Sequence, residues 1–223
     1  AQTTRYGGYQ DDSGYYQQKA TLRIDHDWQS WRVQGLLEGS NLNQETAGYI
    51  RGFEAYEDDD AREENPNPEA YRNAWAARGY LSFSRDWGAD AEVTLRPYWR
   101  SNSMTFLQHY LPWQATESNR HRSLGLQAIA RGQRNRLTWL AGVDIDHTEG
   151  ALLEIQEAFF SPNQPDGVHY DYEVDADTLA AFTNVTWALS DRWRFNGGLR
   201  LEETRYDYDN LTNAGPACAP TAS

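Results

Sequence analysis

Cysteine is almost missing from this 223-residue chain: one residue, Cys218, allows no internal disulfide and excludes a cysteine-rich zinc site. No run approaches the roughly 20 consecutive apolar residues that a membrane-spanning helix requires. Basic charge is also scarce. Lys and Arg number 20 against 33 Asp and Glu, a formal charge of -13 at pH 7, so the positive footprint demanded by a phosphate backbone is lacking and nucleic acid is not an expected partner. No Gly-x-Ser-x-Gly, His-Glu-x-x-His or phosphate-loop pattern occurs. Neither a resident cofactor nor a metal is therefore expected.

What the chain does have is alternation. Hydrophobic residues make up 39% and aromatic residues 13% of it, and they are interleaved with polar ones at a period of two. In 90–100, Ala91, Val93, Leu95, Pro97 and Trp99 share one face, and Asp90, Glu92, Thr94, Arg96, Tyr98 and Arg100 share the other. The same pattern covers 136–147 and 192–204, and weaker versions cover 19–26, 31–38, 77–87, 124–131 and 179–189. This predicts about eight strands in four hairpins. Strands in soluble domains average roughly 5–6 residues, whereas strands that span a bilayer need about 9–11, and the best segments reach the longer value.

The connections alternate as well. Tight turns at Asp27-Trp28-Gln29-Ser30, Asp86-Trp87-Gly88-Ala89, Gly132-Gln133-Arg134-Asn135 and Leu189-Ser190-Asp191 take turns with long polar connections at 43–73, 109–122 and 148–175. That is the organisation of an outer-membrane β-barrel, with short turns on the periplasmic side and long loops outside. Trp28, Trp31, Trp87, Trp139, Trp187 and Trp193 lie at or near the short-turn ends, where an interfacial aromatic girdle would sit. The expected fold is all-β: an antiparallel up-and-down transmembrane β-barrel segment. Its inward face would carry Lys19, Arg23, Arg32, Glu38, Arg78, Glu92, Arg96, Arg100, Arg194, Arg200 and Glu202. The first expected strand descends from the outer side and the last climbs back to it, which predicts an internal segment of a larger barrel.

The segment from Ala181 through Leu189-Ser190-Asp191 to Gly197-Gly198-Leu199-Arg200-Leu201-Glu202 resembles a hairpin of TonB-dependent receptors, in which a Leu-Ser/Thr-Asp turn is followed by Gly-Leu-Arg and an acidic residue. Leu22-Arg23-Ile24-Asp25-His26-Asp27 leading into Trp31, and Met104 to Pro112, are similar to strand and loop-base segments of the same family. The resemblance implies that residues 1–223 are part of a barrel domain of about 22 strands, without its plug domain and closing strands. It further implies an outer-membrane receptor that imports a scarce nutrient, such as an iron-siderophore complex, in a Gram-negative bacterium. Implied partners are the plug domain, the remaining strands, outer-membrane lipid, a small metal chelate and the inner-membrane TonB energy-transducing complex.

Several side-chain groups are candidates for binding. His109, Tyr110, Trp113, Arg120, His121 and Arg122 would combine aromatic, imidazole and guanidinium groups in one external loop, which suits an anionic, partly aromatic chelate. The acidic run Glu54, Glu57, Asp58, Asp59, Asp60, Glu63 and Glu64 offers oxygen ligands but no calcium-loop spacing, so a solvated loop is the expectation. Glu154 with Glu157, or Glu202 with Glu203, is a carboxylate pairing that would suit a hydrolase; adjacent strand residues point to opposite faces, so the second pair cannot flank one bond. No enzyme activity is expected. Two alternatives remain open at this point: a small closed eight-stranded barrel, and a soluble β-rich carbohydrate-binding module or hydrolase.

Overall fold

The computed structural model describes residues 1–107 and 112–212. Nine strands form one antiparallel sheet in strict sequence order. They are β1 (Gln2–Tyr6), β2 (Tyr15–Trp28), β3 (Trp31–Glu45), β4 (Tyr71–Asp86), β5 (Ala91–Leu107), β6 (Thr116–Arg134), β7 (Leu137–Gln156), β8 (Gly167–Ala188) and β9 (Arg194–Asn210). A 3-10 turn (Ala55–Glu57) and the five-residue helix α1 (Asp59–Glu63) lie in the connection from β3 to β4.

Nine strands replace the expected eight, because Gln2–Tyr6 pairs with Lys19–Tyr15. The strands are also longer than the alternation suggested, up to 22 residues in β8. The long connections shrink accordingly. Residues 116–122 belong to β6 rather than to a loop, and most of 148–175 is paired backbone in β7 and β8. Among the described residues no pairing joins β9 to β1 or β2, so a closed eight-stranded barrel is not what the chain forms.

Register fixes the two faces. The row Val33, Phe83, Leu95, Ala128, Val143, Ala181, Leu201 runs across seven strands on one side, and the row Gly35, Leu81, Pro97, Leu126, Ile145, Leu179 lies beside it. The row beginning Leu37, Gly79, Trp99, Leu124 is apolar up to β6 and then continues as His147, Asp177 and Arg205. The upper edge of the apolar band is therefore lower on β7 to β9 than on β3 to β6, the kind of offset that strands tilted to a band produce.

Burial on this sheet is inverted relative to a soluble one. Leu22, Ile24, Leu179, Leu199 and Leu201 on the apolar face are each more than half exposed, while the buried strand residues Ser82, Thr94, Ser123, Glu154, Gln156 and Ala180 all lie on the polar face. A soluble sheet must cover its apolar face with a second layer. Among the described residues no layer does so. No helix among the described residues is long and apolar enough to cross a membrane.

Candidate functional site

The polar face is the surface where side chains meet. Strands two apart lie roughly 9.6 Å from each other, yet long side chains reach across the strand between them. Arg32 of β3 pairs with Glu92 of β5, and Glu92 also takes Arg131 of β6 at 2.7 Å. Tyr98 and Arg100 of β5 both donate to Asp146 of β7, Arg100 at 3.1 Å. From β9, Arg200 donates to Asp144 of β7 at 2.6 Å and to Glu202 on its own strand at 2.6 Å.

Small residues beneath these bridges make them possible. Gly125 lies between Tyr98 and Asp146 in the register, and a Cβ there would overlap the Tyr98 ring. Gly142 plays the same part under Phe182: an added Cβ would stand 2.5 Å from the ring's Cζ. Above that ring sits the Arg200 guanidinium, 5.6 Å from its centroid. Hydroxyl and amide pairs fill the rest, including Ser84 with Thr94 at 2.8 Å, Ser123 with Thr148 at 2.8 Å and Gln127 with Asp144 at 3.0 Å. The result is a wall whose charges are largely matched within itself.

The residues expected on the inward face, Arg96, Arg100, Arg194, Arg200 and Glu202 among them, all fall on this one polar face. Arg96 lies over the Tyr80 ring with its buried Nε lacking a hydrogen-bond partner. The proposed ligand loop is divided by the structure. His109 and Tyr110 lie outside the described residues, as does Cys218. Trp113 sits in the connection from β5 to β6, its ring 6.0 Å from that of Phe160 in the connection from β7 to β8. Arg120, His121 and Arg122 are strand residues of β6, so His121 faces the polar side while Arg120 and Arg122 face the apolar side, beyond the band.

At the long-loop end, sequence reasoning missed an aromatic and imidazole set on the polar face. Tyr172 and Tyr208 lie with ring centroids 5.3 Å apart, and His169 contacts Glu154 at 3.2 Å. Their signal was hidden because polar-face residues above the apolar band have no apolar partners in alternation. The acidic run is structural: Asp58 caps α1 by accepting from the backbone N–H groups of Asp60 at 3.0 Å and Ala61 at 3.1 Å, and Arg62 pairs with Asp59 at 2.9 Å. The loop from β1 to β2 leans on this helix, Gln10 donating to the carbonyl of Glu64 at 2.8 Å. Among the described residues no group of three or more His, Cys, Asp or Glu is arranged to hold a metal. Glu202 and Glu203 face opposite sides and pair with Arg200 and Arg205 respectively.

No protein-family model matches the sequence, and no curated protein matches it. Solved structures do share its fold. The chain is similar to the ferric citrate transporter FecA in its unliganded form, with a TM-score of 0.73 at 11% identity over 91% of this chain and 31% of that one. The ferric yersiniabactin uptake receptor FyuA from Yersinia pestis matches at 0.64 and 18% identity over 90% of this chain and 32% of that one. The ferric-catecholate import receptor Fiu from E. coli K12, in its open form, matches at 0.68 and 11% identity over 98% and 41%. The fold is thus that of part of a TonB-dependent receptor barrel, and the chain spans about a third of the length of the structures it matches.

Proposed function

We propose that residues 1–223 form part of the barrel wall of a TonB-dependent outer-membrane receptor, and that the whole protein imports a scarce nutrient such as an iron-siderophore complex. The reading rests chiefly on inverted burial: an exposed apolar band running across seven strands, with a self-paired polar face behind it. Lipid is the solvent that such a band suits, and a closed antiparallel barrel satisfies every backbone group there. The fold shared with FecA, FyuA and Fiu supports the same class.

In this reading the short turns face the periplasm and the long connections face outward. The plug domain and the remaining strands, contributed from outside residues 1–223, meet the polar face and the free edges of β1 and β9. Energy comes from the inner-membrane TonB complex. The wall excludes lipid, holds the plug against a polar surface, and presents the upper polar face and loops to the ligand; no covalent step falls to it. Expression of the full-length protein in a Gram-negative host lacking its own ferric receptors tests the proposal, with uptake of a panel of radiolabelled ferric chelates measured in the presence and absence of TonB. Uptake of at least one chelate that disappears without TonB is the expected result. A protein found in the soluble fraction would overturn the reading.

A further inference from the structure

The long-loop end of the wall differs in charge from everything below it. Residues 1–19, 43–73, 102–122, 148–176 and 206–212, which form the long connections and the adjoining strand ends, hold 21 Asp and Glu against 7 Lys and Arg, whereas the rest of the chain holds 12 against 13. The surplus negative charge therefore gathers at one end. On the polar face the register row Ser123, Thr148, Ala176, Tyr206 marks a boundary. Outward from it, β6 to β9 carry no Lys or Arg on that face. Arg120 and Arg122, the cations of the loop expected to take an anionic chelate, stand on the opposite side of β6.

What this end offers instead is aromatic surface. The rings of Tyr172 on β8 and Tyr208 on β9 have centroids 5.3 Å apart and planes inclined by 38°. Tyr208 is 53% exposed, and Tyr206 beside it 74%. Leu152 is the register partner of Tyr172, and Val174 that of Tyr208, so half-buried hydrocarbon lies next to both rings. Glu117 and Glu154, opposed in register, stand one same-face step farther out on β6 and β7. Tyr208 follows Leu201, where the apolar run of β9 ends, by about 23 Å along the strand, which places the tyrosine pair at the mouth.

We propose that Tyr172 and Tyr208 receive a positively charged, ammonium-bearing arm of the imported chelate; the inference rests on the importer reading above. A cation within about 6 Å of a ring centroid is drawn by the negative face of the ring, and the carboxylates around the pair add to that attraction. The methylene stem that carries such an ammonium packs on Leu152 and Val174, which are apolar and accessible. A polyanionic chelate meets the reverse. It gives up water without gaining a guanidinium or ammonium partner on β6 to β9, and the acidic mouth repels it before contact.

Binding of radiolabelled ferric chelates to cells carrying the full-length protein, in a host without its own ferric receptors, tests this. Three chelates are compared: that of desferrioxamine B, whose free amine is protonated; that of its N-acetyl derivative, with the same hydroxamate core and no charge; and a trianionic tris-catecholate. The cationic chelate is expected to bind about fivefold or more tighter than the acetylated one, the gap narrowing as salt is raised, and the tris-catecholate to bind weakest. At matched surface levels Tyr208→Leu should bring the two hydroxamates to equal affinity, whereas Tyr208→Phe, which keeps the ring face, should preserve the gap. Arg205→Gln, on the other side of β9, should preserve it too. Equal affinity of the unaltered protein for the cationic and acetylated chelates overturns the inference, as does tighter binding of the tris-catecholate, no binding of the cationic chelate, or an unchanged gap in Tyr208→Leu. In each of these cases TonB-dependent import of any chelate leaves the receptor reading standing, whereas no TonB-dependent import of any chelate overturns that reading as well.

Discussion

The Tyr98 phenol donates a hydrogen bond to the Asp146 carboxylate across Gly125, tying β5 to β7 over the strand between them. The glycine is required for space rather than for an unusual backbone angle. An alanine at position 125 would push the ring off the wall and break the phenol's reach to Asp146. Overpacking of this kind costs about 1–3 kcal/mol. Gly125→Ala should therefore lower the unfolding midpoint of the full-length barrel in denaturant, while Gly197→Ala, where an added Cβ meets nothing within 4 Å, should not. Equal midpoints would show that the Tyr98 ring moves aside without loss.

Lipid contact predicts a depth-dependent penalty. Leu199 lies in the middle of the β9 stretch that runs outward-facing from Phe195 to Leu201, and Glu203 lies just beyond it. A cation on the lipid face costs about 2–4 kcal/mol at the midplane and about 0–1 near the interface. Leu199→Arg should reduce the amount of folded barrel recovered from outer membranes and its stability in lipid, and Glu203→Arg should leave both near the unaltered level. If the two substitutions cost the same, the apolar face does not meet hydrocarbon.

The same band explains how much of the fold was readable in the sequence. Inside it, most outward residues are apolar, so Leu137, Trp139, Ala141, Val143 and Ile145 announce β7. Above it that demand ends. The upper parts of β6, β7 and β8, such as Thr116–Ser123 and Thr148–Gln156, are paired strand but carry Arg, Glu and Asp on the outward side, so they read as loops. β1 was missed for the same reason: Gln-Thr-Thr-Arg-Tyr has no apolar face to report. His121 was grouped with Arg120 and Arg122 because a loop imposes no facing; in a strand, neighbours part company.

Bridges on the polar face should be worth little singly and more together. Arg200 is about half exposed, at 44% of its side chain, and contacts Asp144, Glu202 and the Phe182 ring at once. Exposed ion pairs contribute little singly, because water and salt screen them. A double-mutant cycle of Arg200→Gln and Asp144→Asn, read by denaturant unfolding of the full-length protein, should give only a small coupling. A large coupling would indicate that the plug domain buries this pair and removes it from water.

The division of β6 into two faces makes a prediction about transport. His121 points to the polar side, toward the path that ligand and plug would share, whereas Arg120 points away from it and is tied to Glu173. If the ligand enters along the polar face, His121→Ala should raise the chelate concentration needed for half-maximal uptake several-fold, and Arg120→Gln should leave it unchanged. Binding and uptake by cells carrying each variant at matched surface levels decide the matter. The opposite ranking would mean that ligand is captured over the rim from the outer side, and would return the Arg120 side of β6 to the binding surface.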